Sequence, residues 1–448
     1  MSNYLKRCVD KETGVNEPLR GIYIRSFAYP SLKDRTPIIL TSVIDHLSRE
    51  KESIVQKYGE GAREELKTVI GNISKLKSEL QTNKPFSKIE SGGEGADHYN
   101  RLIDEKTKRD GEVPTWYYVE WLFAECYLYR RLREIFETTE YLQKYDIFEA
   151  QKVDVYYNSL SSIKEATILT LDFSVQKLPS LSKAALKKLV IDFIKLSLWS
   201  NRADLSLSGG EVTEQDSICS HLVELDKFIL VDDSEKAYHA LTEKPANGQP
   251  KILDIILDNA GFELYFDLCL SDLLLSAKIV THVRFHAKNC PWFVSDTNPH
   301  DFYWMITTTK ESEDPALRTI GTRWQGYVDE GKFSVETDEF WTLSSDFDKM
   351  KTERPTLYKK LGESALVIIK GDLNYRKLVA DINRPYTTPF SKAIGSFHPN
   401  KLLSLRTMKC DVAAGLLPGQ AEKCAAIHPN WIITGEFATI QFDGPSNA

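Results

Sequence analysis

The chain has 448 residues, room for two or three domains and at least one large buried core, which excludes a miniature scaffold stapled by disulfides. Lysine and arginine total 57 against 64 aspartates and glutamates, and hydrophobic residues at 42% with charged residues at 27% mark an ordinary soluble globular chain, not a disordered one. The formal net charge of −7 lacks the positive field that sequence-independent nucleic-acid binding draws on, so no nucleic-acid partner is expected.

In chain order, Met1 to Gly14 carries Lys6, Arg7, Asp10, Lys11 and Glu12 where a secretory leader would be apolar. No apolar run approaches the roughly 20 residues of a membrane-spanning helix, so no membrane partner is expected. Cys8, Cys126, Cys219, Cys269, Cys290, Cys410 and Cys424 are scattered without a C-x-x-C pair. That odd, dispersed set reads as reduced thiols in a protein of the cytoplasm or nucleus.

Apolar residues returning every three or four positions predict helices, with one stripe at Leu66, Val69, Ile70, Ile73, Leu76 and Leu80 and another at Leu186, Leu189, Val190, Phe193 and Ile194. Between them, Trp116 to Phe136 is dense in aromatics and basic at Arg130, Arg131 and Arg133. Stacking on a nucleic acid would use such a set, but a core helix whose basic end suits its dipole is the simpler expectation. Turn-rich loops follow at Lys84 to Ala96, Ser206 to Gln215 and Pro245 to Pro250.

At the last loop the period changes. Runs of strand length appear at Ile252 to Leu257, Ile279 to Phe285, Trp292 to Val294, Ala365 to Ile369, Leu402 to Leu405 and Phe437 to Phe442, separated by helical patterns. They predict an α/β fold with an open, mostly parallel sheet flanked by helices. Asp254 is out of place inside the first run. His282, Arg284 and His286 alternate onto one strand face, which is expected to be solvated and not, with Cys290, a zinc site.

In open α/β sheets ligands bind beyond the carboxyl ends of the strands. The residues there are polar: Asp258-Asn259 with Gly261 and Glu263, Ser295-Asp296-Thr297, Lys370-Gly371-Asp372-Leu373-Asn374, and Arg406-Thr407-Met408-Lys409. Any one set explains itself as a cap or turn. Together they bring carboxylates, a carboxamide, lysines and an arginine to one rim, a combination suited to Mg²⁺ or Mn²⁺ and to phosphate oxygens. No G-x-x-x-x-G-K-[ST], G-x-S-x-G or H-E-x-x-H motif competes, and one glycine after the first strand is too few for a dinucleotide fingerprint.

With these motifs the sequence resembles the damage-control phosphatases, formerly a domain of unknown function. It is most similar to the branch that contains sugar phosphate phosphatases and a protein also described as an acidic-residue methyltransferase, whose R-T-x-K signature stands at Arg406 to Lys409. Phe27-Ala28-Tyr29, Asp34-Arg35, Glu125-Cys126-Tyr127, Arg130-Arg131, Leu198-Trp199, Asn201 and Asp204-Leu205-Ser206 agree as well.

The resemblance implies a mainly helical portion over 1–247 packed on an α/β/α sandwich over 248–448. It implies metal ligands at Asp258, Asn259 and Asp296, and substrate contacts at Asp258, Asn259, Lys370, Gly371, Asp372, Leu373, Asn374 and Lys409. Catalysis would fall to Asp258, Asn259 and Asp372, the last as proton donor to the leaving group. The implied substrates are small phosphorylated sugars such as fructose 1-phosphate and fructose 6-phosphate, with Mn²⁺, Ni²⁺ or Co²⁺ as activating metals and Mg²⁺ also suited to the site. The same branch raises an alternative, protein carboxyl methylation by S-adenosylmethionine held at Glu263 and Asp296, which leaves the gathered cations Lys370, Arg406 and Lys409 without a purpose.

Overall fold

The computed structural model describes residues 8–203, 224–243 and 250–444. The expected loops at Ser206 to Gln215 and Asn247-Gly248, the Asp204-Leu205-Ser206 match, Cys219 and Met1 to Arg7 lie outside the described residues. The chain divides into two compact units, one formed by Met1–Ile147, Thr342–Asp346 and Ala380–Pro385, the other by Phe148–Trp341, Phe347–Val379 and Tyr386–Ala448. Among the described residues, no helix is long and apolar enough to cross a membrane.

The first unit is helical, with α1 (Thr36–Arg49), α2 (Lys51–Tyr58), α3 (Ala62–Gln81), α4 (Ala96–Asp110) and α5 (Trp121–Glu137). In α3 the apolar stripe buries Leu66, Val69, Ile73, Leu76 and Leu80, as its 3.6-residue period requires. Helix α5 is the core helix: its Tyr127, together with Trp116 from the segment before it, packs on Phe86 with ring centroids 4.5 and 4.8 Å away. Its basic end is neutralised internally, Arg130 by Glu137 at 2.9 Å and Arg131 by Glu134 at 2.8 Å.

The second unit is built around a sheet. Its elements include α6 (Lys183–Trp199), β1 (Ile229–Asp232), β2 (Ile252–Ile256), α7 (Phe262–Ser276), β3 (His282–Ala287), β4 (Phe333–Thr337), α8 (Pro355–Leu361), β5 (Leu366–Lys370), α9 (Asp372–Leu378), β6 (Leu402–Thr407) and β7 (Ala438–Asp443). The strand order is β1-β7-β6-β5-β2-β3-β4. Every neighbouring pair is parallel except β6 with β7. Leu253, Ile255 and Ile368 on one face and Ile256, Val367 and Ile369 on the other are all fully buried, which accounts for the continuous apolar runs. The expected α/β fold with a mostly parallel sheet is the observed one.

Two strands escape the sequence pattern, and one expected strand is absent. Strands β1 and β4 lie at the sheet's edges and are only partly buried, so neither shows a continuous apolar run. Trp292 to Val294 instead forms a turn, with Phe293 and Val294 at φ 43° and 70°, a region that costs a β-branched residue strain.

Asp254 has a physical account after all. Arg284 grips it through Nε and Nη2, both at 2.7 Å, and His286 Nε2 lies 3.0 Å away. The His286 ring packs on Trp341. The alternation of His282, Arg284 and His286 is as expected, but the face is not solvated: Arg284 and His286 are buried. Burial works to raise the Asp254 pKa, yet the hydrogen bonds from His286 and Arg284 outweigh it and hold the carboxyl below its ordinary range.

Removing Asp254 takes from the buried Arg284 its two-pronged carboxylate partner and leaves only the more distant Glu363 at 3.7 Å, so Asp254→Ala is expected to lose about 3–5 kcal/mol of stability in urea unfolding. Because the Asp254 pKa is lowered on folding, its contribution is present above the unfolded value of about 4 and is lost as pH falls through the folded value. The stability gap between wild type and Asp254→Asn is therefore expected to narrow below about pH 4, and a constant gap from pH 7 to pH 3 would contradict this account.

Candidate active site

Register alone collects the rim. Ile256 in β2 pairs with His286 in β3 and with Ile369 in β5, while Lys370 pairs with Leu405 in β6. The next residues along these strands, Leu257-Asp258, Ala287-Lys288, Gly371 and Arg406-Thr407, therefore emerge side by side. The chain leaves β2 toward β3, while β5 lies on the other side of β2, which makes the β2/β5 boundary the topological switch point where α/β proteins bind ligands.

Asp258, Asn259 and Asp296 are brought together, all buried. The turn after β2 and the Trp292 to Thr297 segment are stitched by the backbone: Ala260 N donates to Ser295 O at 2.7 Å, Thr297 N to Asp258 O at 2.8 Å, and Asn259 bridges with Asp296. The Asn259 carboxamide is oriented, with Nδ2 donating to Asp258 Oδ2 at 3.0 Å and Glu263 Oε2 at 2.7 Å, while Oδ1 accepts from Ser295 Oγ at 2.5 Å. Gly371 closes the other side. At φ 82°, an ideal Cβ on it would lie 1.9 Å from Asp258 Oδ2, so only glycine lets β5 run this close to that carboxylate.

Lys370 is placed differently from the expectation of a phosphate grip. Its ammonium is fully buried and held by Asp267 at 2.7 Å, Ser197 Oγ at 2.7 Å and Glu263 at 3.1 Å. Burial works against its charge, but the Asp267 and Glu263 carboxylates outweigh it and hold its pKa above the ordinary lysine range. Asn374 also faces inward, donating to Lys370 O at 2.8 Å and Leu257 O at 3.1 Å, and Leu373 is buried beside it. Asp372 accepts from Arg406 Nε at 2.7 Å and from the Lys409 backbone N–H at 3.2 Å. Arg406 is committed there and to Val412 O at 2.7 Å.

Asn201, which follows α6, ties these segments together. Its Nδ2 donates to Asp258 Oδ2 at 2.7 Å and Glu263 Oε2 at 2.6 Å, its Oδ1 accepts from Thr407 Oγ1 at 2.5 Å, and its backbone oxygen accepts from Lys409 Nζ at 2.8 Å. Sequence reasoning quoted Asn201 and Ser295 without giving either a role, and it passed over Lys288 and Asp267 altogether. Lys288 was within reach of the strand-end argument, since it directly follows β3. Among the described residues, no group of three His, Cys, Asp or Glu side chains is arranged to hold a metal ion; the candidate set depends on the Asn259 carboxamide.

A family profile described as the damage-control phosphatase ARMT1-like domain matches residues 31–424. The damage-control phosphatase ARMT1 of Mus musculus is 39% identical over 427 residues, spanning 94% of this chain and 97% of that protein. The Homo sapiens protein of the same name is 38% identical over 435 residues, spanning 95% and 98%. A crystal structure of a duf89 family protein from Pyrococcus horikoshii aligns with a TM-score of 0.39 and 15% identity, covering 77% of this chain and 89% of that one.

Gly371→Ala is expected to lower stability by about 1–3 kcal/mol in backbone strain, plus the cost of displacing Asp258. Gly419 at φ 79° has open space around its Cβ position, so Gly419→Ala should show the strain alone. Equal losses for the two variants in urea unfolding would mean that the Asp258 carboxylate does not pack on Gly371.

Proposed function

This chain belongs to the damage-control phosphatase ARMT1-like domain family, and from that premise we propose that it is a metal-dependent phosphatase that hydrolyses small sugar phosphates of the fructose 1-phosphate and fructose 6-phosphate class. The observation that carries the reading is the meeting of Asp258, Asn259 and Asp296 on two bridged segments, with Lys409 on a nearby strand end. The buried carboxylates of Asp258 and Asp296 and the Asn259 carboxamide oxygen would supply an all-oxygen donor set, which suits a hard divalent cation. Mn²⁺ or Mg²⁺ suits it better than a borderline-soft ion such as Ni²⁺ or Co²⁺. When bound, such an ion supplies positive charge to a phosphate oxygen and acidifies a coordinated water.

The chain's own groups position the ester. Lys409 offers a positive charge from the β6 end, next to Asn201. Asp372, anchored by Arg406, is the group proposed to exchange a hydrogen bond or a proton with a sugar hydroxyl or the leaving oxygen. Lys370 acts indirectly, by holding Glu263, whose Oε2 fixes the Asn201 and Asn259 carboxamides. The methyl-transfer alternative gains nothing from this geometry: Glu263, one of its two expected cofactor contacts with Asp296, is buried and already accepts from both carboxamides.

Protein stripped of divalent ions and assayed for phosphate release from fructose 1-phosphate is expected to be inactive until Mn²⁺ is added. Asp258→Ala should fall to background, and Lys409→Ala should lose about 10²-fold in kcat/KM. Release that ignores the metal, or that survives Asp258→Ala, would end this reading.

A further inference from the structure

We propose that Lys288 is a catalytic residue whose ammonium grips a nonbridging oxygen of the transferring phosphoryl group; this rests on the phosphatase reading above. Lys288 directly follows β3 and lies on the same strand face as Arg284 and His286. Its backbone N–H donates to Thr297 O at 2.9 Å, which locks it to the segment that carries Asp296.

Its charged end is buried yet loosely held. Lys288 Nζ lies 3.3 Å from Asn374 Oδ1, 3.4 Å from Leu257 O and 3.5 Å from Asp296 Oδ2, with the residue 1% exposed. Charge-assisted N–H···O bonds close to about 2.7–2.9 Å. The other rim cations reach that range: Lys370 on Asp267 at 2.7 Å, Arg406 on Asp372 at 2.7 Å and Lys409 on Asn201 O at 2.8 Å. Lys288 has thus been taken out of water without a short bond in return, a costly arrangement. A tetrahedral oxyanion seated beside Asp258 and Asp296 would supply that bond.

In the hydrolysis, the P–O bond to the sugar breaks and a P–O bond to the oxygen of water forms. The proton that water loses ends on the sugar hydroxyl. Lys288 keeps its own protons throughout and balances the charge on the nonbridging oxygens, which is where a loose phosphoryl transition state carries it. The second phosphate cation beside Lys409 is then Lys288, not Lys370.

The test compares the full chain with Lys288→Met and Lys288→Arg. Each is measured for orthovanadate binding by calorimetry with and without Mn²⁺, for turnover of fructose 1-phosphate, and for melting temperature. Lys288→Met is expected to lose about 10²-fold in kcat/KM and to weaken orthovanadate binding in both conditions, while folded; Lys288→Arg should recover most of both. Lys288→Gln, which keeps a donor for Leu257 and Asn374, replaces the Met variant if that does not fold, with the same expected loss. A folded, uncharged variant that binds orthovanadate and turns over within about threefold of wild type overturns the assignment and leaves the phosphatase reading standing. A wild type that binds orthovanadate through Lys288 but releases no phosphate from the sugar ester overturns the substrate class and leaves Lys288 in place.

Discussion

Ile256 pairs with His286 on one side and Ile369 on the other, and that register governs what lies beyond it. A one-residue slip in either ladder would turn alternate side chains to the opposite face. It would carry Asp258 away from Gly371 and Lys288 away from Asp296. Both faces of these strands are buried, so the apolar residues that set the register also aim the polar residues past the strand ends. Core packing and site geometry are therefore one constraint.

The site concentrates negative charge where water is scarce. Asp258, Glu263, Asp267 and Asp296 are all buried, and the chain manages them by two means. Deep in the fold, Lys370 neutralises Asp267 and Glu263 directly. Nearer the rim, the Asn201 and Asn259 carboxamides donate to Asp258 and Glu263 without adding charge. Neutral donors orient a carboxylate while leaving its negative charge in place, which is what the proposed cation site requires.

Much of this was legible in the sequence, for identifiable reasons. Strands β2, β5 and β6 announce themselves because burial on both faces demands unbroken apolar runs, and the polar residues that end them stand out by contrast. Edge strands β1 and β4 have no such contrast. Trp292 to Val294 reads as a strand by composition, and only its left-handed backbone shows it to be a turn. Asp254 looked anomalous because its partners Arg284 and His286 come from the neighbouring strand, a pairing that no local pattern displays. The roles of Asn201 and Lys370 are likewise set across the fold: nothing near either residue in sequence reveals that Glu263 stands between them.

Strand β7 runs against β6, and β1 follows β7. At the edge where β2, β5 and β6 deliver their polar residues, β7 begins instead of ending. The peptide dipoles and loop exits there change sense, so the rim has a built-in terminus at β6. The row of strand carboxyl ends therefore runs from β6 through β5, β2 and β3 to β4, and β6 closes it on one side.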